Sequence, residues 1–261
     1  MFHQGAFSFS STNTGAGVFV TMTALADQFL TVNANNRFIL PQPPTGGPSP
    51  WRIAAGYAQG TTMSVARVNN ATLRAIGLPS ITPIQPALVI GSAFQPAVFG
   101  INGPKLPFAD EFGIEADATA IERQTGCLWI HDGVMNNAAS NPNAQIFTLQ
   151  FSSAITTVAN TWTAGNITFA QTLPVGRYQV VGMDVIGTTL IFARLIFPFG
   201  GPRPGVLGRA SSAIFPTNQF RYGNFGSFGE FTSYAQPQLE VLASSAAAIT
   251  FTGNLDLVKV G

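Results

Sequence analysis

Short apolar runs, rich in Val, Ile, Thr and Phe, recur along the whole chain and are separated by Gly, Pro, Asn and Ser. Runs of this length between turn residues predict β-strands, and roughly fifteen can be recognised in this way. A chain of many short strands with frequent turns predicts an all-β sandwich. The clearest runs are residues 6–10, 17–23, 126–131, 144–151, 166–169, 178–183, 189–197, 238–242 and 248–252.

The order of strands and turns predicts two hairpins. Residues 29–32 and 37–40 flank an Asn-rich turn, and residues 178–183 are followed closely by residues 189–197. Consecutive strands joined by a short turn commonly pair with each other. Near the end of the sequence, residues 254–260 alternate between polar and apolar side chains, which predicts a half-exposed terminal strand.

One short helix is predicted between the strands. Asn70 can cap residues 71–76, Gly77 supplies a stop, and Pro79 follows. The fold class is therefore all-β with at most one or two short helices. The proline-rich residues 41–50 are predicted to form a surface loop, because proline donates no hydrogen bond to a sheet.

The chain of 261 residues suits one large all-β domain or two smaller ones. No repeat of fixed short period is visible, which argues against a solenoid or a propeller. A division near residue 125 gives two halves of similar size and strand content. We therefore predict a first β-sandwich, a jelly roll, over residues 1–125 and a second over residues 126–261. No linker marks this boundary, and a single domain stays open.

The low charge content is the most unusual property of the composition. Only 9% of the residues are charged and 46% are hydrophobic, whereas soluble domains average about 25% charged residues. So little charge predicts that much of the surface is covered by other copies of the chain. The 12 Lys and Arg residues are scattered and the net charge is +1, so direct nucleic-acid binding is not expected. No secretory signal or membrane-spanning run is visible, which predicts synthesis in the cytoplasm.

Residues that carry catalysis are scarce. The sequence has no Gly-rich phosphate loop and no nucleophile elbow, and its two histidines, His3 and His131, are few for a metal site or a Ser–His–Asp relay. The sequence therefore predicts no enzyme, no cofactor and no metal. His131 is followed by Asp132 and Gly133, which predicts a turn after a strand. The single cysteine, Cys127, is predicted to be a buried thiol.

One acidic cluster leaves two interpretations open. Glu111, Gly113, Glu115 and Asp117 fall on one face of an extended strand. Several carboxylate oxygens on one face can hold a hard cation such as calcium. The alternative is the solvated face of an exposed strand whose other face enters the core. The pattern favours this second interpretation, because the spacing of an EF-hand loop is not met.

Two loop segments contain arginines that are candidates for contacts with partners. Arg203 and Arg209 lie in a Gly- and Pro-rich stretch that suits contact with a neighbouring subunit, contact with a phosphate, or a plain connection between strands. Residues 220–231 interleave Phe, Tyr and Gly around Arg221, a pattern found where proteins stack single-stranded nucleic acid. One arginine does not make the cationic groove of such a site. The rings are therefore predicted to anchor a core edge or a subunit interface.

The short strands, Pro-rich loops, low charge and missing catalytic set resemble viral capsid proteins of the jelly-roll type. Runs such as residues 176–204 and 220–231 carry the resemblance, which is closest to major capsid proteins of icosahedral, tailless bacteriophages with two jelly rolls. The resemblance implies a virion subunit that self-assembles as trimers of pseudo-hexagonal outline with other virion proteins, often over an internal lipid membrane. Because such proteins usually carry a helix in each roll, a single jelly roll with long loops stays open.

Other functions stay open at the level of sequence. A surface-layer or filament subunit would also assemble from weakly charged copies, although most of these are exported and no signal is visible. A carbohydrate-binding or hydrolytic β-sandwich would use Trp51, Trp129 and Trp162 as sugar platforms, although Trp129 lies in an apolar run. A phage tail or spike protein is a nearer variant within the structural class.

Overall fold

Strands account for nearly all the regular structure of the chain. The structure, a computed structural model, describes residues 4–15, 17–25, 30–41, 51–75, 83–84, 86–87, 97–99, 102–133, 138–198, 205–214, 220–224 and 226–261. The described residues fall into two compact units. The first unit lies within His3–Ile90 and Gln95–Val134, and the second lies within Met135–Gly261.

The first unit is bounded by two long strands, β1 (Gln4–Asn13) and β13 (Glu122–His131), which pair along their whole length. Between them lie β6 (Trp51–Gln59), β7 (Met63–Asn69) and β12 (Glu111–Ala118). The shorter elements are β2 (Val20–Thr21), β3 (Thr23–Ala24), β4 (Thr31–Val32), β5 (Phe38–Ile39), α1 (Ala71–Ala75), β8 (Pro83–Ile84), β9 (Pro86–Ala87), β10 (Ala97–Val98) and β11 (Lys105–Leu106).

These strands form two sheets. One has the order β10-β6-β13-β1-β3, with β9 and β11 also on β6, and the other has the order β4-β5-β12-β7-β8, with β2 also on β12. The eight strands of a jelly roll are lettered B to I in chain order. Here these letters fall on β1, β5, β6, β7, β8, β10, β12 and β13. The two sheets then have the orders G-D-I-B and C-H-E-F. This is the strand order of a jelly roll, a sandwich built from two Greek keys.

The second unit repeats this order with eight strands and two additional short elements. Lettered B to I in chain order, its strands form the sheets B-I-D-G and C-H-E-F, with β16 beside strand B. Each unit is therefore a jelly roll. Strands B to I are β14 (Ile146–Thr156), β15 (Trp162–Asn166), β17 (Arg177–Ile186), β18 (Leu190–Ile196), β19 (Gly205–Leu207), β20 (Gly229–Thr232), β21 (Gln238–Ala243) and β22 (Ala248–Lys259); the additional elements are β16 (Thr168–Phe169) and a 3₁₀ turn (Ala138–Ser140).

Aromatic rings join the two sheets of the first unit. Phe7 and Phe9 come from β1, whereas Phe38 and Phe112 come from β5 and β12 in the other sheet. Their ring centroids lie 5.3–6.1 Å apart, mostly edge to face. Such pairs add about 0.5–1.5 kcal/mol each beyond the area they bury. The core therefore sits between the sheets, as a sandwich requires.

The predicted hairpin of residues 178–183 and 189–197 is wrong. β17 pairs with β20 and β22, whereas β18 pairs with β19 and β21 in the other sheet. The chain passes from one sheet to the other between strands D and E of a jelly roll, so a short turn here does not imply pairing. The other predicted hairpin is confirmed where it is described, because β4 pairs with β5.

The strand predicted to be terminal and half-exposed is central. Residues 254–260 overlap β22, which lies between β14 and β17. Asp256, at one of its polar positions, is 0% exposed. The alternation is real, but the Asp256 side chain meets the buried Arg221 instead of water.

The two units divide after Val134. The sequence-based boundary between residues 125 and 126 falls inside β13, which pairs with β1 and β6 of the first unit. β13 is strand I of the first jelly roll, and the roll needs it as the centre of one sheet. The whole strand therefore belongs to the first unit.

The predicted helix cap is confirmed. The side-chain Oδ1 of Asn70 accepts the N–H of Leu73 at 2.8 Å, which satisfies a backbone donor of the first turn. Gly77, Pro79 and residues 42–50 of the proline-rich segment lie outside the described residues. No helix among the described residues is both long and apolar enough to span a membrane.

Candidate functional site

Two aspartates lie on the outer face of a sheet in the second unit. Alternation along β22 turns Leu255 and Leu257 into the core and Asp256 to the opposite face. Gly182 of β17 lies beside Asp256, and Asp184, two residues further along β17, shares the same face. Both carboxylates are nevertheless buried, which requires partners that replace water.

Each aspartate is bound by an arginine through two hydrogen bonds. Arg209 donates from Nε to Oδ1 of Asp184 at 2.9 Å and from Nη2 to Oδ2 at 2.5 Å. Arg221 donates from Nε to Oδ2 of Asp256 at 2.6 Å and from Nη2 to Oδ1 at 2.7 Å. Paired donation to a carboxylate is among the strongest hydrogen-bonding arrangements in proteins. Arg209 thus pairs with a carboxylate of its own unit, while Arg203 lies outside the described residues.

Asp256 gathers further hydrogen bonds. The Thr148 hydroxyl donates to its Oδ1 at 2.7 Å, and the Tyr222 N–H donates to its Oδ2 at 3.0 Å. Burial raises the pKa of Asp256, but the hydrogen bonds from Arg221, Thr148 and Tyr222 and the charge of Arg221 lower it by more, so the pKa lies below the ordinary value. Asp256 is therefore a carboxylate at neutral pH, and it holds three parts of the chain together.

Both arginines belong to the long connection between β19 and β20, which lies along β17. The Arg209 N–H donates to the Val185 carbonyl at 2.9 Å, and the Gly223 N–H donates to the Val181 carbonyl at 2.6 Å. Backbone bonds and ion pairs thus hold the same connection at two places. We call residues 208–214 and 220–224 of this connection, both described in the structure, the strap.

Gly182 makes room for the strap. A Cβ at this position would lie 2.8 Å from the Tyr222 nitrogen and 2.9 Å from the Arg221 Cα, both closer than normal packing allows. The strap therefore lies directly on the sheet backbone. Tyr222 itself has a φ of 55° and is 52% exposed, so its ring projects from this layer.

A second arrangement occurs in both units at the same place in the jelly roll. In the first unit, Glu115 of strand H pairs with Arg67 of strand E, and the Arg67 Nε donates to Oε1 at 2.5 Å. The Arg67 Cζ lies 3.7 Å from the ring centroid of Phe19. Phe19 directly precedes β2, which pairs with strand H on the side opposite strand E. One arginine thus contacts a carboxylate and an aromatic ring across three strands.

The second unit repeats the arrangement with different residues. Glu240 of strand H pairs with Arg194 of strand E, and the Arg194 Nε donates to Oε2 at 2.5 Å. The Arg194 Cζ lies 4.0 Å from the ring of Trp162, which belongs to β15 on the opposite side of strand H. Trp162 pairs with Leu242, which lies two residues after Glu240 in strand H. In the first unit, Phe19 likewise lies beside the position two residues after Glu115. The matching register indicates that the units are structural repeats.

Sequence reasoning missed this repeat. The residues follow the same order in the chain, aromatic, arginine and glutamate, but the spacing between aromatic and arginine differs between the units. The two sets of residues therefore do not recur at a fixed period along the sequence. The shared signal is the position of each residue within the jelly roll.

The acidic cluster of β12 faces arginines. Glu115 also binds Arg74 of α1, whose Nη2 lies 2.6 Å from Oε2. Glu115 is only 5% exposed, so the prediction of a solvated face is wrong at this residue. The prediction for the other face is confirmed, because Phe112 and Ile114 are buried in the core.

The other two carboxylates of the cluster have separate partners. Glu111 lies 3.6 Å from Arg37, and Asp117 accepts the backbone N–H of Gly17 at 2.9 Å. In the part of the chain that the structure describes, no three His, Cys, Asp or Glu side chains are placed to hold a metal ion. The cluster therefore ties β12 to the segments packed around it, which are β7, α1 and two connecting segments.

The predicted turn after residue 131 and the predicted buried thiol are confirmed. The N–H of Gly133 donates to Nδ1 of His131 at 3.1 Å, and Gly133 has a φ of 90°. His131 and Asp132 are both buried. Cys127 is fully buried and is not part of a disulfide.

Two of the three tryptophans are buried. Trp51 is 0% exposed and its Nε1 donates to the Pro41 carbonyl at 2.6 Å. Trp129 is 2% exposed, and half-buried Trp162 lies against Arg194. Trp51 and Trp129 are therefore too buried to serve as the sugar platform that a carbohydrate-binding function needs.

The aromatic segment at residues 220–231 anchors the core where it is described. Phe220, Phe228 and Phe231 are at most 1% exposed. Phe231 stacks on Tyr178 with ring centroids 5.8 Å apart. The prediction of a core edge is confirmed for these rings, whereas Phe225 lies outside the described residues.

Large apolar side chains are exposed mainly in loops and turns of both units. Two of them, Val175 and Tyr234, lie beside a backbone hydrogen bond that joins their segments. In this bond the Ser233 N–H donates to the Gly176 carbonyl at 3.0 Å. Tyr234 is 80% exposed and Ile121 is 72% exposed. The complete set among the described residues is Val18, Val98, Phe108, Ile121, Val158, Val175, Tyr222 and Tyr234.

Comparison of the chain with protein-family models, curated proteins and solved structures gives no match in any of the three. Fold and geometry therefore define the class. It is an all-β protein of two jelly rolls. Many of its few charged side chains are used in ion pairs within each unit.

Proposed function

We propose that this protein is the major capsid subunit of a virion and self-assembles into an icosahedral shell. The observation that carries the proposal is the presence of two complete jelly rolls in one chain. Jelly rolls build viral capsids, but lectins and cupins share the fold. The choice between these functions therefore depends on the surface of the protein and on which side chains could form a binding or catalytic site.

The distribution of charge supports assembly. Asp184, Arg209, Arg221 and Asp256 are buried in ion pairs, so the outside of the second unit carries even less charge than the composition implies. Faces without like charges can approach in many copies without repulsion. Closed symmetry then covers such faces on every copy.

The exposed apolar loops support the same proposal. Ile121 and Tyr234 are each more than two-thirds exposed, and exposed apolar side chains of this size favour burial in an interface. Rigid β-sandwiches lose little conformational freedom when they associate. The packing of rigid blocks through such loops is therefore the mechanism that the proposal assigns to the chain.

The proposed partners follow from the same assignment. They are other copies of this chain, as a trimer or larger lattice, and other virion proteins. An internal lipid membrane is a further proposed contact. No direct binding of nucleic acid is expected, and the proposed location is the virion.

Electron microscopy of the purified recombinant chain, combined with light scattering, tests the proposal. We expect trimers or closed particles, because exposed apolar loops drive association. A chain that stays a 27.5 kDa monomer at high concentration would contradict the proposal.

A pair of variants tests whether the exposed loops drive assembly. Ile121→Glu places a charge at an exposed apolar position, and Thr156→Glu places the same charge at an exposed polar position. We expect Ile121→Glu to lower the assembled fraction by about ten-fold or more, because burying one charge costs over 1 kcal/mol per contact. Thr156→Glu is expected to assemble like the unmodified chain.

A further inference from the structure

The first half of β14 has a free edge. β14 (Ile146–Thr156) pairs with β22 along its whole length, but β16 covers its other side only at Phe151 and Ser152. The Ala170 N–H then donates to the Gln150 carbonyl at 2.9 Å. Towards the start of β14, no described residue pairs with this side of the strand. A free edge of this kind is a template for another strand.

The backbone groups at this edge can be assigned. In a strand, the N–H and C=O groups of alternate residues face opposite neighbours. Because the Gln150 carbonyl faces β16, the backbone groups of Thr148 and Ile146 face the free edge. Within the described residues, nothing hydrogen-bonds to them on that side. Thr148 is exposed and Ile146 is half-buried, so an incoming strand can reach both.

The free edge forms one wall of a cleft of about 460 Å³. The opposite wall is made by residues 171–174, which are fixed where the Tyr178 hydroxyl donates to the Pro174 carbonyl at 2.6 Å. Leu149 and Leu173 give the cleft an apolar lining. An extended segment with alternate apolar side chains fits this combination, because its backbone meets the edge while its side chains enter the cleft.

One of the side chains that line this cleft, Lys259, is positively charged. Lys259 lines both this cleft and a neighbouring cleft of about 640 Å³, and so does Phe147. Lys259 is exposed, and no acidic side chain among the described residues forms an ion pair with it. Two copies of this edge facing each other would bring two lysines together, which disfavours self-pairing. A segment that carries a carboxylate is the complementary occupant.

We propose that the free edge of β14 binds an extended segment of a partner protein. This segment adds as a strand beside Ile146 and Thr148, places apolar side chains against Leu149 and Leu173, and offers a carboxylate to Lys259. The site lies within the second unit and does not depend on the proposed shell. A chain that never assembles would still bind such a segment.

Fluorescence anisotropy of the purified full chain tests the proposal with two labelled hexapeptides. Both alternate threonine and valine, and one carries a central glutamate where the other carries a lysine. We expect the glutamate peptide to bind about ten-fold more tightly, because attraction to Lys259 is replaced by repulsion. The variant Lys259→Glu is expected to reverse this preference.

Two proline variants test pairing through the edge. Thr148→Pro removes an N–H at the cleft, and Thr156→Pro removes an N–H on the same side of β14 beyond β16. We expect loss of binding for Thr148→Pro and unchanged binding for Thr156→Pro, with circular dichroism showing that both variants are folded. Three outcomes would overturn the proposal: no binding of either peptide at millimolar concentration, binding that survives Thr148→Pro, or a dimer of the chain that Thr148→Pro dissociates.

Discussion

Asp256 accepts four hydrogen bonds on the outer face of the second unit, from Arg221 twice, from Thr148 and from the Tyr222 backbone. One carboxylate therefore connects β14, β22 and the strap. Because the group is fully buried, each bond replaces one that water would supply in the unfolded chain. The stability of this layer depends on the charge of a single residue.

The substitution Asp256→Asn tests this dependence. It leaves the Arg221 guanidinium buried without its counter-charge, and loss of one partner from a buried pair costs about 3–5 kcal/mol. We expect the urea midpoint of the second unit to fall accordingly. Glu230→Gln is the matched control, because Glu230 and Arg177 form an ion pair at 3.3 Å whose side chains are 34% and 58% exposed. That control is expected to cost under about 1 kcal/mol.

Acid is expected to weaken the same layer. The pKa of Asp256 is lower in the folded chain than in the unfolded chain, so its stabilising contribution is complete above the ordinary carboxyl pKa of about 3.9. The contribution is lost as the pH falls from that value through the lowered pKa. Thermal melting between neutral pH and pH 2 measures this loss, and Asp256→Asn is expected to melt with a shallower dependence on pH. Equal slopes in the two proteins would contradict the assignment.

Local chemistry made several residues predictable from sequence. Asn70 caps the helix that follows it by accepting the N–H of Leu73, and Gly133 follows the strand that ends at His131. The partner of Asp256 was not predictable, because Arg221 lies 35 positions away in the chain. Only the folded sheet brings those two residues together.

Among the strands, β17 carries the closest contact of the strap. Gly182→Ala would place a Cβ against Oδ2 of Asp256 and 2.8 Å from the Tyr222 nitrogen, so both the Asp256 side chain and the strap have to shift. We expect a loss of about 1–3 kcal/mol, as for other overpacked positions, measured by urea unfolding. Gly113→Ala in β12 is the control, because its nearest neighbour would be the flexible Arg37 side chain at 3.4 Å. A similar cost for both variants would show that the strap does not rest on Gly182.

Strands were predictable as elements, but their neighbours were not. The apolar run at residues 189–197 correctly predicts β18, yet β18 lies in the sheet opposite β17. Periodicity reports which face of a strand is apolar, and both sheets of a sandwich satisfy it equally. The same limit explains β22. Its alternation of polar and apolar residues was predicted correctly, but its predicted exposure to solvent was wrong.

At the scale of the whole molecule, the low charge of the sequence has a structural counterpart. Ion pairs such as Arg194 with Glu240 and Arg209 with Asp184 are buried, so these charges do not solvate the surface. The composition predicted that other copies cover this surface, and the jelly-roll order of both units is compatible with that function. Fold alone does not name the partner.

Sedimentation velocity of the purified chain over a wide range of concentration tests the central claim most directly. Self-assembly through weakly charged faces predicts species far heavier than one 27.5 kDa chain, and their share should rise with concentration. A single species of 27.5 kDa at every concentration would contradict the account.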